Sequence, residues 1–167
     1  MRTRRELLGY WRLGAALAVV PLVLRGGVAW AAGVAKIVHT DDEWHKLLSA
    51  DQYDVLRQQG TEAPFSSPLL HEERTGTFAC AGCDLPLFAS ETKFDSGTGW
   101  PSFYQPLPDA VGTSEDRSLF MKRTEVHCRR CGGHLGHVFD DGPQPTGLRY
   151  CMNGVALKFT PAPATAS

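Results

Sequence analysis

Four of the five cysteines in this chain form two Cys-x-x-Cys pairs, and these pairs constrain the fold more than any other feature. Cys80 pairs with Cys83, and Cys128 with Cys131; glycine lies within the first pair and directly after the second. Two ligands spaced by two residues fit on one tight turn, and structural zinc sites often use four thiolates in tetrahedral geometry. Because 45 positions separate Cys83 from Cys128, one ion would join two distant hairpins of a larger fold. We therefore predict one structural zinc ion.

Two disulfide-bonded or redox-active pairs are the alternative. A redox pair usually opens a helix, and neither flank has a helical pattern. An odd number of cysteines also cannot all be consumed by disulfides. We further expect Arg129, Arg130 and Lys122 to offset the negative charge of four thiolates.

Residues 1–31 have the features of an export signal. A basic start with Arg4 and Arg5 precedes an apolar run from Leu13 to Leu24, too short for the roughly 20 residues of a membrane span. Ala29 and Ala31 are small residues at the positions that a signal peptidase reads. The start resembles a bacterial twin-arginine signal, which predicts a periplasmic or otherwise extracytoplasmic protein exported after folding. A general secretory signal and an uncleaved membrane anchor are the alternatives.

The remaining chain predicts one domain, residues 32–160, with a flexible tail at 161–167. The first 31 residues carry five arginines and one glutamate, so the rest has a net charge of −5, whereas the whole chain has −1. A mildly acidic domain argues against a nucleic-acid partner.

The local patterns predict short helices followed by a β-rich body. Thr40 and Glu43 have the spacing of a capping box, which predicts a helix through Leu48. Ser49 or Asp51 could cap a second helix over Tyr53–Gln59. Strands are predicted at Thr77–Ala79, Leu85–Ala89, Ser118–Thr124, Val126–Cys128 and Leu148–Phe159.

Cys151 is the one cysteine outside the two pairs, and it is a candidate nucleophile. On a strand, Arg149, Cys151 and Asn153 would share a face. A guanidinium beside the thiol favours the thiolate, and the amide could hydrogen-bond a polar substrate atom. The alternative is a buried cysteine that packs as a small apolar residue.

His134, His137 and Trp100 are further candidates. The histidines are three positions apart and would face opposite ways on a regular strand, but the neighbouring glycines permit a bulge that could bring both to one cleft. One structural and one exposed histidine is the alternative. Trp100 lies between glycine and proline, where its ring could hold a methyl or thioether group, although a core tryptophan is the ordinary case.

Taken together, these motifs resemble the peptide methionine (R)-S-oxide reductases, the MsrB family. The resemblance covers about Trp44 to Phe159. It is carried by the two cysteine pairs, by Thr61–Phe65, and by the runs Gly-Trp-Pro-Ser-Phe at 99–103, His-Leu-Gly-His-Val-Phe at 134–139 and Arg-Tyr-Cys-Met-Asn at 149–153. It implies a mainly β fold of small antiparallel sheets (the Mss4-like or β-tent type), short N-terminal helices and one structural zinc ion.

The resemblance also implies roles for individual residues. Cys151 would attack the sulfoxide sulfur, while His134 and His137 protonate the oxygen and position solvent. The resemblance assigns supporting polar positions to Arg149, Asn153 and Asp141, and substrate-binding aromatic positions to Trp100 and Phe103. The implied partners are proteins or peptides containing methionine sulfoxide and a thioredoxin-like or other thiol reductant, and we expect a monomer.

One position departs from the family's pattern. Many members carry a resolving cysteine just before the Gly-Trp-Pro-Ser-Phe run, where this chain has Thr98. With four cysteines on zinc, we expect the Cys151 sulfenic acid to be reduced by an external thiol. The rival interpretations are a non-enzymatic zinc-binding module and a general thiol oxidoreductase or disulfide isomerase.

Overall fold

A computed structural model describes residues 34–118 and 122–163. The predicted export signal and the end of the predicted tail, residues 164–167, lie outside the described residues. None of the helices in these two ranges has the length and apolar character of a membrane span. The last strand continues to Pro161, one residue beyond the predicted end of the domain.

Two short helices open the described region, as the capping patterns predict. Helix α1 spans Asp41–Leu47 and helix α2 spans Ala50–Gln58. At α1, Thr40 Oγ1 accepts from the Glu43 amide at 3.3 Å, and the Glu43 carboxylate accepts from the Thr40 amide at 2.7 Å. Ser49 and Gln52 form the same reciprocal pair at α2, so Ser49 rather than Asp51 is the cap.

The helices pack their apolar side chains against the cysteine-bearing turns. Trp44 and Leu56 are 3% and 2% exposed, and burying a leucine of this kind stabilises a fold by about 1.5–3 kcal/mol. A Cβ added at Gly133 would come within 2.9 Å of the Leu56 side chain. Glycine there lets α2 approach closely.

A three-stranded antiparallel sheet, in the order β2-β1-β9, carries the first cysteine turn. Its strands are β1 (Gly76–Cys80), β2 (Pro86–Ala89) and β9 (Leu157–Pro161). Cys80 ends β1 and pairs with Leu157. The first metal-ligand turn is therefore fixed at the end of this sheet.

A six-stranded antiparallel sheet holds the other candidate residues, in the order β3-β4-β8-β7-β6-β5. Its strands are β3 (Lys93–Phe94), β4 (Ser102–Phe103), β5 (Val111–Asp116), β6 (Arg123–Cys128), β7 (His134–Phe139) and β8 (Arg149–Met152). The mainly β fold of small antiparallel sheets with short N-terminal helices is confirmed.

Two strand predictions are wrong. Leu148–Phe159 is not continuous, because a 3-10 turn at Gly154–Ala156 separates β8 from β9 and the two strands belong to different sheets. Ser118–Thr124 is not one strand either: Ser118 lies beyond β5, and β6 begins only at Arg123. Strands β5 and β7 were not predicted, because their polar and glycine-rich sequences lack clear apolar alternation.

Candidate active site and metal centre

The four paired cysteines converge on one buried point. Their sulfur atoms all lie within 4.8 Å of one another. Cys80 Sγ is 3.7 Å from Cys131 Sγ, and Cys83 Sγ is 3.5 Å from Cys128 Sγ. Tetrahedral zinc with Zn–S bonds of about 2.3 Å requires sulfur pairs about 3.8 Å apart. The cluster therefore forms a site for one zinc ion, as predicted.

Each cysteine pair lies on a tight turn held by backbone hydrogen bonds. The Asp84 amide donates to the Cys80 carbonyl at 2.9 Å, and the Gly132 amide donates to the Cys128 carbonyl at 2.9 Å. Gly132 has φ +70°, a left-handed conformation that favours glycine. All five cysteines are free thiols in the structure, so neither pair forms a disulfide.

Crowding of the thiols explains why this site suits a divalent cation. Hydrogen bonds from neighbouring thiols, that of Cys131 first, lower the pKa of Cys128. The same crowding, with Cys128 as the first cause, raises the pKa of Cys80 and of Cys131. Four thiolates alone would repel one another, whereas a bound divalent cation stabilises all four together.

The positive charges around the cluster differ in part from those predicted. Arg130 donates to the Cys83 carbonyl at 3.1 Å, as expected of a basic side chain beside the site. Arg129 instead lies 3.3 Å from Asp109, and Lys122 lies 2.8 Å from Glu115. A further basic residue, Arg57, which no sequence pattern indicated, reaches from α2 to the Cys131 carbonyl at 3.1 Å.

Cys151 lies away from the metal cluster, on β8 in the interior of the six-stranded sheet. It pairs with Ser102 on β4 and with His137 on β7. Its side chain is half-buried, and the Thr98 hydroxyl lies 3.8 Å from its sulfur. The thiol is therefore flanked by a hydroxyl and an imidazole on neighbouring segments.

A bulge brings the two histidines together, as their glycine-rich surroundings predict. Val126 and His127 are adjacent on β6, but they pair with Gly136 and His134 on β7, so Leu135 is an extra residue. The imidazole centroids consequently lie 5.4 Å apart. A cavity of about 360 Å³ borders both rings.

Each histidine has a carboxylate partner on another strand of the sheet, on β6 for His134 and on β5, two strands away, for His137. His134 Nδ1 lies 2.8 Å from Glu125 Oε1, and His137 Nε2 lies 2.8 Å from Asp116 Oδ2. Such pairs fix the tautomer and the orientation of an imidazole. Arg123 Nη2 also contacts Asp116, at 2.7 Å.

The two carboxylate–histidine pairs differ in burial. His134 is 4% exposed, and its Nε2 has no hydrogen-bond partner among the described residues. Burial is the main reason why the pKa of His134 is lowered. For Asp116, hydrogen bonds from Ser118 and then from His137 hold the pKa well below its ordinary value. His134 thus offers a neutral imidazole with one uncommitted nitrogen.

Arg149 is held beside Cys151 by a bidentate ion pair. Its Nε and Nη2 atoms each donate to an Asp141 carboxylate oxygen at 2.8 Å, and its guanidinium stacks over Phe139 at 4.4 Å. Asp141 is the first cause of the raised Arg149 pKa, and the Cys151 thiol contributes in the same direction. Arg149 and Cys151 are alternate residues of β8, as the predicted shared face requires, and Asp141 contacts Arg149.

Asn153 is tied to the backbone more closely than the strand pattern suggested. It lies beyond β8 and is 4% exposed. Its Oδ1 accepts from the Glu62 amide at 3.0 Å, and its Nδ2 donates to the Leu135 carbonyl at 3.1 Å. Both polar atoms of the amide are thus committed to backbone groups, which gives Asn153 a structural part in the site.

Trp100 is partly exposed next to Glu62, whereas Phe103 lies in the core. Trp100 is half-buried, and its indole Nε1 donates to the Glu62 carbonyl at 3.1 Å. Phe103 is completely buried, stacked on Phe88 at 4.3 Å and edge-on to Phe78 at 5.0 Å. The prediction of Phe103 as a substrate-binding residue is therefore wrong: alternation along β4 turns its ring into the core.

Comparison with known proteins shows the family. The model of the SelR domain matches residues 48–161. The chain belongs to the SelR domain family. It is 56% identical over 126 residues to the peptide methionine sulfoxide reductase MsrB of Methanosarcina mazei, covering 75% of this chain and 90% of that protein. It is 57% identical over 127 residues to the protein of the same name from Pseudomonas putida, covering 75% and 96%.

Three acidic residues of this SelR domain were not recognised as site residues from the sequence. They are Glu62, whose segment was noted only as part of the resemblance, and the two histidine partners, Asp116 and Glu125. No local pattern identifies the two partners: Glu125 lies opposite His137 in register but contacts His134, and Asp116 reaches His137 from β5, two strands away. That register depends on β5 and on the bulge in β7.

Proposed function

We propose that this chain reduces methionine (R)-sulfoxide in proteins or peptides to methionine, with Cys151 as the nucleophile. Membership of the SelR family, whose curated relatives are named peptide methionine sulfoxide reductases, supports an enzyme that reduces methionine sulfoxide. Separate enzymes serve the two sulfoxide epimers, and the motifs of this chain resemble those of the R-specific enzymes.

One observation carries the residue assignment. The only thiol outside the metal cluster lies directly across the strand pair from His137, with His134 beside that histidine and Arg149 on its own strand. A nucleophile, two imidazoles and a cation thus surround one half-buried position. This arrangement suits attack by a thiolate coupled to proton transfer.

The chemistry follows from the weakness of a sulfoxide oxygen as a leaving group. The Cys151 thiolate forms a bond to the sulfoxide sulfur, and the oxygen takes one proton from an imidazolium and one from solvent and leaves as water. Water then attacks the Cys151 sulfur and breaks the new S–S bond. Methionine is released and Cys151 becomes a sulfenic acid, so two electrons have passed from the cysteine to the substrate.

Turnover then needs an external reductant. One thiol condenses with the sulfenic acid and releases water, and a second thiol cleaves the mixed disulfide to restore Cys151. Four cysteines belong to the metal cluster, and Thr98, whose hydroxyl is 3.8 Å from Cys151, cannot form a disulfide. A thioredoxin-like protein or a small dithiol supplies both electrons.

Zinc, when bound, contributes to folding rather than to the reaction. Cys80, Cys83, Cys128 and Cys131 would hold it, and a closed set of four ligands leaves no position for substrate. It fixes the turn after β1 relative to the turn between β6 and β7. The substrate side chain would lie between Trp100 and Cys151.

Turnover of separated epimers is the deciding experiment. A peptide with methionine (R)-sulfoxide should be reduced in the presence of dithiothreitol, whereas the S epimer should not. Cys151→Ser should abolish turnover while retaining one equivalent of zinc per chain. Activity confined to the S epimer would refute the assignment, and full activity of Cys151→Ser would exclude the proposed nucleophile. A zinc-binding module without catalysis would show no turnover with either epimer.

We also propose that residues 1–31 direct the folded protein out of the cytoplasm. The support is the twin-arginine-like sequence followed by an apolar run and small residues at 29 and 31. N-terminal analysis of protein recovered from the periplasm should find Ala32 as the first residue. Replacement of Arg4 and Arg5 by lysine should keep the full-length chain in the cytoplasm, and unchanged export would contradict a twin-arginine route.

A further inference from the structure

Glu62 connects segments that border the proposed active site, although it lies outside every helix and strand. Its carboxylate accepts from the Gly154 amide at 2.6 Å and from the Val155 amide at 2.9 Å. Its backbone amide donates to Asn153 Oδ1 at 3.0 Å, and its carbonyl accepts from the Trp100 indole at 3.1 Å. The carboxylate, the amide and the carbonyl of Glu62 thus all bond to segments that border the proposed active site.

The contacts join the two sides of the substrate position. Gly154 and Val155 begin the turn that follows β8, three and four residues after Cys151. Trp100 lies on the loop before β4. Asn153 in turn donates to the Leu135 carbonyl, next to His134 on the bulged strand. Glu62 therefore links the tryptophan loop to the turn after the nucleophile strand and, through Asn153, to the histidine bulge.

The local sequence is adapted to this contact. A Cβ added at Gly154 would come within 1.9 Å of the Ser67 hydroxyl and 3.3 Å of Glu62 Oε1. Glycine at 154 therefore lets the 62–67 segment lie against the turn. The Glu62 carboxylate accepts from the two backbone amides at the start of the 3-10 turn, and these amides would otherwise lack partners. Hydrogen bonds to a charged acceptor are stronger than those between neutral groups.

We infer that Glu62 is a positioning residue that sets Trp100 at a fixed place relative to Cys151. It has no polar atom free for substrate, so it acts through the tryptophan and the turn after β8. Loss of the carboxylate would release the Thr61–Phe65 segment from that turn, and the Trp100 indole would lose its fixed acceptor. Substrate capture would then weaken, because the ring that borders the substrate position would no longer be held in place.

Glu62→Gln is the most selective test, because it keeps the size of the side chain but turns one acceptor into a donor facing an amide N–H. Glu43→Gln is the matched control, since Glu43 accepts a backbone hydrogen bond in the α1 capping box on another part of the domain. Both variants are made in the full chain with zinc bound. Thermal unfolding and the exchange of core amides such as Phe78 report any general loss of stability.

Two measurements then decide the role. Hydrogen exchange of the Trp100 indole N–H, followed by NMR, should accelerate at least tenfold in Glu62→Gln, beyond any acceleration of the core amides, and should not change in Glu43→Gln. The KM for the sulfoxide peptide should rise at least fivefold in Glu62→Gln, with a smaller change in kcat. An unchanged indole exchange rate, or exchange that accelerates only as much as the core, overturns the inference. Faster indole exchange with unchanged KM and kcat overturns the link to turnover.

The kinetic measurement rests on the proposed function, whereas the exchange measurement does not. A parent enzyme that fails to reduce the peptide would refute the proposed function, and the indole exchange would still decide whether Glu62 fixes Trp100. An active parent whose Glu62→Gln variant has parental KM and indole exchange would refute the positioning role alone.

Discussion

Substitution of Gly136 by alanine should disrupt both the fold and the site. Gly136 lies on β7 between the two histidines, pairs with Met152 and has φ +155°. A Cβ there would come within 2.1 Å of the Cys151 carbonyl oxygen and 3.0 Å of the Met152 Cα. Both atoms belong to the backbone of β8, so the clash can be relieved only if the strands move apart.

The expected loss of stability has two parts. Holding a residue with a Cβ in a glycine-type conformation costs about 1–3 kcal/mol, and forcing extra volume against a packed backbone costs about 1–3 kcal/mol more. The free energy of unfolding should therefore fall by roughly 2–6 kcal/mol, a large part of the 5–15 kcal/mol typical of a domain. Gly147→Ala is the control, because Gly147 has φ +72° but nothing within 4 Å of the added Cβ, so it should lose only about 1–2 kcal/mol.

Urea unfolding at a fixed free zinc concentration measures both changes, followed by circular dichroism and with the slopes compared. The folded fraction of Gly136→Ala should also reduce the sulfoxide peptide at least tenfold more slowly than the parent, because Cys151 and the histidines shift relative to one another. A Gly136→Ala protein no less stable than Gly147→Ala, with parental activity, would refute the reasoning.

Three further outcomes are expected. Cys83→Ser should lose stoichiometric zinc and several kcal/mol of stability, since zinc bound to such sites contributes roughly 10–16 kcal/mol in apparent terms; a variant with one equivalent of zinc and the parental Tm would contradict this. Burial lowers the pKa of His134 in the folded chain below 6.5. As pH falls below that value the unfolded chain therefore binds more protons than the folded chain, and the free energy of unfolding decreases until the pH has passed the lowered pKa. In His134→Gln, the free energy of unfolding from urea titrations should change less with pH, by up to about 1.4 kcal/mol per pH unit. The same pH dependence in the variant and the parent would contradict this. Thr98→Cys should give, after one turnover without reductant, an internal disulfide with Cys151 detectable by mass spectrometry; a persistent sulfenic acid would show that the two sulfur atoms do not meet.

Features with a local cause could be predicted from the sequence. The capping boxes at Thr40 and Ser49 need only residues three positions apart. Helix α1 begins directly after Thr40, as predicted, whereas α2 begins at Ala50, three residues before the predicted Tyr53. The metal ligands were also predictable, because each cysteine pair forms its own turn and only the approach of the two turns is non-local. The bulge between the histidines was predicted as a possibility because glycine there permits it.

Features that depend on pairing between distant strands could not be predicted. Strand β5, with the sequence Val-Gly-Thr-Ser-Glu-Asp, has too little apolar alternation to be recognised and is defined by its pairing with β6. Phe103 belongs to the same motif as Trp100, yet alternation along β4 turns its ring into the core. The amide of Asn153 was expected to face substrate, but the break after β8 directs it to Glu62 and Leu135.

The sequence by itself determined which residues were available for chemistry: four cysteines in metal-binding turns, one cysteine left over, and two histidines among glycines. Those facts follow from residue type and short spacing, which act within a few residues of chain. Only the tertiary structure decided what each of these groups faces. Cys151 meets His137, each histidine meets its carboxylate, and Glu62 meets both Trp100 and the turn after Cys151, because strand register and chain crossings set distances that no local pattern encodes.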